Sequence, residues 1–279
     1  MPEGEGESIM IGGLWVAASG MVSRSAEINV WANDVANVNT PAFLAEVPSL
    51  VDAAPGAAYP VLVNPQAPAG ALAAQQAPPA VLQGGGVGPG PVLVDTAQAS
   101  VQLTGRPLDV AIQGPGWLRV GLPGGGAAYT REGRFAPDAT GTLVNAEGNP
   151  LLDAAGQALR VPTGATAVSF APDGRVLATV GGRQQVLGRV ELSIPADPQG
   201  MAPAQGGLWQ ATPAAGVLTR AYPGTAGAPL LLPGALLQSN VNLTTALTHI
   251  LAAEQAYQAN SRAFAVGLSM WTAANQIPG

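Results

Sequence analysis

Hydrophobic residues recur every seven positions near the N-terminus of the chain. A seven-residue repeat places its members in one column along a helix, as in the seam of a coiled coil. No proline occurs in residues 11–40, and Pro41 then disfavours the helical conformation at the residue before it. We therefore predict a coiled-coil helix over residues 11–40. Its first column is Leu14, Met21, Ile28 and Val35, and the column beside it is Ile11, Ala18, Ser25 and Ala32.

The same spacing returns near the C-terminus, where Ser239 or Asn240 can cap the start of a helix. We predict a second coiled-coil helix within residues 237–279. Because neither helix can bury an apolar stripe alone, we expect the two to pack together as a stalk that can also contact further copies. Periodicity alone leaves open an ordinary helical hairpin lying on a domain core. The main column is Leu243, Ile250, Tyr257, Phe264 and Trp271, with Leu247 and Leu268 on the flanking column.

The rest of the chain follows other patterns. Residues 1–10 form an acidic extension that we expect to be flexible, and residues 41–91 are rich in Pro and Gly, which indicates an extended arm. Residues 92–236 contain short apolar or alternating runs between turn residues, typical of β-strands, and residues 186–194 are predicted as one such strand. The fold class predicted is α+β: terminal helices forming a coiled-coil stalk, plus an all-β middle domain.

Composition excludes several function classes. The chain has 17 acidic residues, 11 basic residues that are all Arg, one His and no Cys. The absence of Lys excludes a P-loop and a Schiff-base enzyme, and the absence of Cys excludes disulfides, thiol nucleophiles and zinc–cysteine sites. Isolated arginines on an acidic chain make a poor nucleic-acid binder. Only 10% of residues are charged, which hints that much of the surface is covered by partners.

Catalytic chemistry has little support. Asp109 and Glu132 could be imagined as the acid–base pair of a hydrolase, but the carboxylates are few and scattered. His249 lies beside the C-terminal stripe, where packing is the usual role of such a residue. We therefore predict that the chain is not an enzyme and has no catalytic residue, no cofactor and no metal site.

Three sets of motifs carry a resemblance to a known family. Residues 14–21 and 32–43 resemble the N-terminal signature of bacterial flagellar rod and hook proteins, and residues 239–242 and 256–262 resemble the signature at that family's other end. Residues 108–117 and 128–135 are similar to its middle-domain signature. The chain departs from the pattern at several positions. Asp34 follows Asn33 where the family commonly has paired Asn, Ala42 stands where Gly commonly precedes the Phe, and Leu44 stands where a basic residue often follows. The family's acidic start to the C-terminal helix is replaced by residues 244–246, and residues 254–255 stand where a Gln-Arg type pair is frequent.

The resemblance implies a non-enzymatic axial protein of the flagellar basal body. The modest middle region is similar to that of the distal rod, with proximal rod or hook-type proteins as the alternatives. Such a subunit would be exported by the flagellar type III apparatus without a cleaved signal peptide. It would polymerise into a helical tube across the periplasm and transmit torque from motor to hook.

The partners implied are other copies of the chain, other rod subunits, the hook protein, the surrounding ring proteins and the export apparatus, and no nucleic acid. From a different class, a secreted β-rich binding module with a helical stalk stays open. The residues expected at subunit interfaces are Leu14, Met21, Ile28, Val35, Asn37, Leu243, Ile250, Tyr257, Asn260, Phe264 and Trp271. The further asparagines Asn33, Asn39, Asn240 and Asn242 are candidates for hydrogen bonds at helix ends or between helices, or for local caps and turns.

Overall fold

The structure, a computed structural model, describes residues 3–53, 85–225, 227–274 and 276. Most of the predicted arm, residues 54–84, lies outside the described residues. The two long helices are α1 (Glu3–Ala36) and α2 (Leu243–Ala274). The strands between them are β1 (Glu46–Val47), β2 (Leu50–Asp52), β3 (Val87–Pro89), β4 (Leu93–Val94), β5 (Val101–Leu103), β6 (Val110–Gln113), β7 (Trp117–Gly121), β8 (Ala127–Thr130), β9 (Ala136–Pro137), β10 (Leu143–Val144), β11 (Ala165–Phe170), β12 (Arg175–Val180), β13 (Arg183–Arg189), β14 (Leu192–Pro195), β15 (Met201–Pro203), β16 (Trp209–Ala211), β17 (Leu218–Ala221), β18 (Leu230–Pro233) and β19 (Ala235–Leu237).

The chain therefore has two helices around a mostly β middle, as the α+β prediction requires at that level. It divides into two compact units. The helical unit comprises Met1–Val35, Glu46–Leu93 and Leu243–Gly279, and the β unit comprises Ala36–Ala45 and Val94–Asn242. Neither described helix is apolar over a stretch long enough to cross a membrane.

The helix ends differ from those that the sequence pattern indicates. Helix α1 starts at Glu3, so residues 3–10, predicted as a flexible extension, are helical. Helix α1 ends at Ala36 because residues 37–40 form a turn, in which the Thr40 N–H donates to Asn37 O at 3.0 Å. Helix α2 starts only at Leu243 because residues 235–237 belong to strand β19.

The described ends of the predicted arm pair with each other. Strands β2 and β3 form an antiparallel ribbon in which Leu50 lies opposite Pro89 and Asp52 opposite Val87. Gly-rich and Pro-rich sequence hides such pairing, because strands of three residues give almost no alternation to detect.

The β unit is built from one six-stranded sheet and several smaller ones. The larger sheet has the order β15-β16-β8-β7-β14-β17, and a three-stranded sheet has the order β11-β12-β13. The prediction of one strand over residues 186–194 is wrong, because the chain leaves the small sheet after β13 and enters the large sheet with β14. The chain turns at Val190, between these two strands, and the Val190 N–H donates to Gly174 O at 2.8 Å.

Two segments of the β unit form a bent two-stranded ribbon. Strand β18 pairs with β6, and β19 pairs with β5, so the same two chain segments stay paired across a bend. Gly234 forms the bend with φ +71°, a conformation that glycine adopts without a steric penalty. Its N–H donates to Asp109 O at 2.8 Å, and its carbonyl accepts from Thr104 N at 2.8 Å.

The β unit has two apolar clusters, and the larger one contains both buried phenylalanines. Phe135 and Phe170, each of which begins a Phe-Ala-Pro-Asp sequence, are both buried with ring centroids 6.0 Å apart. A second cluster surrounds Trp117 and Trp209, whose rings are 5.2 Å apart. The larger cluster is fully shielded from solvent at Ile112, Leu118, Val120, Leu143, Leu151 and Leu192.

Candidate subunit interface

The two helices of the helical unit lie side by side and run in opposite directions. Near the start of α1, Leu14 contacts the backbone at Gly267, where a Cβ atom would lie 2.8 Å from Leu14 Cδ2. Midway, a Cβ at Gly20 would lie 2.5 Å from Asn260 Nδ2. Near the end of α1, the ring of Trp31 stacks on His249 with centroids 4.5 Å apart and planes 5° apart. As α1 advances, its contacts on α2 move back towards the start of α2, so the helices are antiparallel.

Helix α2 faces α1 with two columns, each repeating every seven residues. One column consists of large side chains that the sequence pattern identified, and it is half-buried at Ile250, Phe264 and Trp271. The flanking column predicted at Leu247 and Leu268 is wrong for this contact, because those side chains are 44% and 47% exposed. The second column instead consists of the small or polar residues Ala246, Ala253, Asn260 and Gly267.

Small residues allow the helices to approach closely. Ala246 and Ala253 on α2 are each 1% exposed, and Ala17 and Gly20 on α1 are also buried. A larger side chain at these positions would separate the helix axes, as the short Gly20–Asn260 approach shows. The predicted α1 column of Leu14, Met21, Ile28 and Val35 is half-buried along its length.

Another side of α1 holds the β2–β3 ribbon by polar contacts. Ser19 Oγ accepts from Val87 N at 3.2 Å, and Ser23 Oγ donates to Val87 O at 2.9 Å. One helical turn thus satisfies both backbone groups of a strand residue. Near the end of the helix, both Asp34 carboxylate oxygens accept from Glu46 N, at 3.1 and 3.2 Å. The Asp34 side chain is fully buried, and this burial is the main cause that raises its pKa to about 6.

A third surface of the helical unit is apolar and uncovered within the subunit. In the first turns of α2, Leu243, Leu247 and Leu251 follow each other at four-residue spacing on one side of the helix, 42%, 44% and 58% exposed. We call this row the leucine face. Further along α2, Tyr257, Val266, Leu268 and Met270 are also exposed. Exposed large apolar side chains in a row make the leucine face a candidate interaction surface.

Comparisons with known proteins identify the family. Two family models match: the flagellar hook protein FlgE/F/G D1 domain over residues 111–178, and the flagellar basal body rod FlgEFG protein C-terminal over residues 232–277. The flagellar basal-body rod protein FlgG of Caulobacter vibrioides is 30% identical over 95% of this chain and 98% of its own length. The chain belongs to the flagellar basal-body rod protein family. The FlgG proteins of Bacillus subtilis (31% identical, 91% of this chain and 94% of the relative) and Borreliella burgdorferi (29%, 96% and 99%) match over nearly their whole lengths.

The asparagines of the rod-family motifs have different roles in the structure. Asn260 packs over Gly20 between the helices. Asn37 accepts from the Thr40 hydroxyl at 3.1 Å in a local turn. Asn240 lies in the β unit and holds the loop after α1, since its Oδ1 accepts from Ala45 N at 2.6 Å and its Nδ2 donates to Asp95 O at 2.8 Å. No hydrophobic periodicity marks Asn240, so its role as a tertiary clamp cannot be read from the helix pattern.

The carboxylates considered for catalysis are part of the β framework of this rod-family chain. Asp109 is 1% exposed at the ribbon bend, and its Oδ2 accepts from the Thr104 hydroxyl at 2.7 Å. Burial, followed by repulsion from Glu147, raises the pKa of Glu132 to about 7, while Arg134 acts in the opposite direction. Among the residues that the structure describes, no three His, Asp or Glu side chains gather as metal ligands would.

Proposed function

We propose that this chain is a structural subunit of the distal flagellar rod. It polymerises into a helical tube that spans the periplasm and transmits torque from the motor to the hook. The observation that carries this proposal is the leucine face: a rod-family chain exposes apolar side chains on a terminal helix that its own α1 does not cover. A heterologous contact repeated from copy to copy builds an open helical filament.

We infer that the antiparallel helix pair acts as a coiled-coil stalk at the inside of the tube. The seven-residue columns on both helices support this, because a sustained heptad keeps the same side of a helix facing its neighbour. In this arrangement the half-buried column residues Leu14, Met21, Ile28, Val35, Ile250, Phe264 and Trp271 shape the pair. The leucine face, with Tyr257 beside it, meets the next copies. The proposed stalk comprises α1 (Glu3–Ala36) and α2 (Leu243–Ala274), and the β unit is the second part of the subunit.

Export through the flagellar type III apparatus fits the same picture. A chain without cysteine can pass a narrow channel and reach the oxidising periplasm without forming disulfides. At the rod, its partners would be further copies, other rod subunits, the hook protein and the surrounding ring proteins.

A proximal rod or hook-type role within the same family is the second candidate. The flagellar basal-body rod protein FlgF of Rhizobium meliloti is 30% identical over 59% of this chain and 58% of its own length. The matches to FlgG proteins extend over more of this chain, which favours the distal-rod interpretation. A secreted binding module with a helical stalk would show a ligand-contacting β surface and no polymer.

The experiment compares two kinds of substitution for motility, rod assembly and subunit folding. Leu247→Asp places a charge on the leucine face and is expected to leave the purified subunit folded but to prevent polymerisation and motility. Gln255→Asp, at an exposed polar position of the same helix, is the matched control and is expected to assemble. Ile28→Asp and Phe264→Asp place charges in the helix pair and are expected to disrupt the subunit's own packing and therefore assembly. Normal rods and swimming in cells with Leu247→Asp would overturn the assignment of the leucine face.

A further inference from the structure

Arg131 in the β unit is a buried cation without an anionic partner. The residue is 5% exposed, and burial lowers the pKa of its guanidinium. Its Nη2 donates to Gly114 O at 2.6 Å, whereas its buried Nε has no hydrogen-bond partner. No carboxylate of the described residues forms an ion pair with it. A buried charge left in this state is costly, so the site is incomplete in the isolated subunit.

Arg131 lines a cavity of about 170 Å³. That volume is several times the share of a single water in the liquid, so the cavity has room for a small polar group. Trp117 forms one wall, with its ring centroid 5.7 Å from the guanidinium carbon. Pro115, Pro195 and Pro198 form others, and Thr96 and Gln98 contribute polar groups.

These walls favour an anion over a neutral polar group. Proline has no N–H, so the ring-lined walls supply no competing donors. Gln98 is already engaged, because its Oε1 accepts from Gly114 N at 3.0 Å and its Nε2 donates to Ile112 O at 3.3 Å. The positive charge of Arg131 is therefore the unpaired group beside the cavity, and a planar carboxylate matches the geometry of guanidinium N–H groups.

The charges of the chain indicate where a carboxylate would come from. The β unit carries nine Arg and nine acidic residues, whereas the helical unit carries two Arg and eight acidic residues. All of the excess negative charge is therefore in the helical unit. The helical unit of each added copy therefore brings more carboxylates than arginines, and such a carboxylate complements the charge of the unpaired Arg131.

We propose that the cavity beside Arg131 is a carboxylate-binding site that an Asp or Glu side chain of a second copy of this chain occupies on assembly. This inference rests on the proposed self-assembling function. The carboxylate would pair with the Arg131 guanidinium, with Trp117 and the prolines excluding water around the pair. A desolvated, charge-assisted pair of this kind fixes the register between neighbouring subunits as well as adding affinity.

The first arm of the test uses the full-length monomer and sodium acetate as the probe, with sodium chloride at equal ionic strength as the reference. The Nε–H resonance of Arg131 and the indole resonance of Trp117 are followed by NMR in selectively labelled protein. We expect acetate to shift both resonances saturably at tens of millimolar. We expect the Trp117 shift to be lost in Arg131→Met and kept in Arg134→Met, which removes an exposed arginine from the adjacent segment. No acetate-specific shift in a folded wild-type monomer would overturn the site.

The second arm measures polymerisation of the same proteins. We expect Arg131→Met to weaken the subunit association constant about tenfold or more, and Arg131→Lys to restore part of it, while Arg134→Met assembles like the wild type. Acetate binding together with unchanged assembly of Arg131→Met would identify a free small carboxylate as the occupant and overturn the second-copy assignment. A wild-type chain that binds acetate but never polymerises would count against the rod function, and the acetate arm would stand separately.

Discussion

Replacing Asp34 with Asn is expected to stabilise the helical unit near neutral pH. Asp34 is buried, and its pKa is raised from 3.8 to about 6, mainly by burial and further by the nearby Glu46 carboxylate. A shift of this size corresponds to at most about 3 kcal/mol of destabilisation once the carboxyl is ionised in the folded chain. The Asn side chain keeps one oxygen that can accept from Glu46 N, and it carries no charge into the buried site.

The hydrogen bond from Glu46 N lowers the pKa of Asp34 and is already contained in the net shift, whereas the amide N–H₂ of Asn brings a buried donor that costs about 1 kcal/mol when it has no partner. We therefore expect a net stabilisation of about 1–2 kcal/mol at pH 7.5. The sign follows from the raised pKa: wild-type stability from protonated Asp34 is present at low pH and is lost as pH rises through about 6. The advantage of Asp34→Asn is therefore largest above neutrality and shrinks as pH falls towards 5.

Denaturant unfolding at several pH values, followed by circular dichroism and Trp fluorescence, measures this difference. Asp52→Asn removes an exposed carboxylate from the same unit and serves as the control, with no change expected. A variant Asp34→Asn that is less stable than the wild type at pH 7.5, or a difference that does not depend on pH, would refute the reasoning about burial.

Three further predictions concern single positions. Ala42 has φ +56°, and because that conformation costs a non-glycine residue about 1 kcal/mol, Ala42→Gly is expected to raise the free energy of unfolding in a denaturant titration. Gly20→Ala is expected to weaken the helix pair, because the added methyl group would clash with the Asn260 side chain. Gly13→Ala is expected to gain roughly 1 kcal/mol of helix stability in the same titration, because no packing neighbour among the described residues lies within 4 Å of the added methyl group. Glu132→Gln should gain stability over wild type as pH rises through about 7, measured by thermal unfolding, since the protonated wild-type carboxyl is lost over that range; equal pH profiles would contradict it.

Some of this structure was accessible from sequence pattern. The columns that contain Ile28 and Phe264 predict where the helices are, because large apolar residues at seven-residue spacing are typical of a helix that packs on a neighbour. The same reasoning favoured large residues and placed Leu247 and Leu268 on the flanking column, but both are exposed and take no part in the contact with α1. The contact with α1 uses Ala, Asn and Gly, which permit close approach. A seven-residue repeat of small residues was present in the sequence as a signal for it.

The β unit was predictable only in outline. Its strands are two to seven residues long, and tertiary pairing rather than periodicity decides where they end, as the change of sheet after β13 illustrates. The cavity beside Arg131 has no local signal at all. An isolated Arg after a strand normally indicates a surface residue, and only the fold brings Pro195 and Pro198 around it.

We propose that this chain is a structural subunit of the rod and that it contacts neighbouring copies through its terminal helices. Cryo-electron microscopy of basal bodies isolated from cells that carry a labelled copy of this chain tests it most directly. We expect the label to decorate the distal rod, with α1 and α2 lining the inner tube and the leucine face buried against adjacent copies. Intact rods in which the label lies elsewhere, or in which α2 touches no other subunit, would contradict the account.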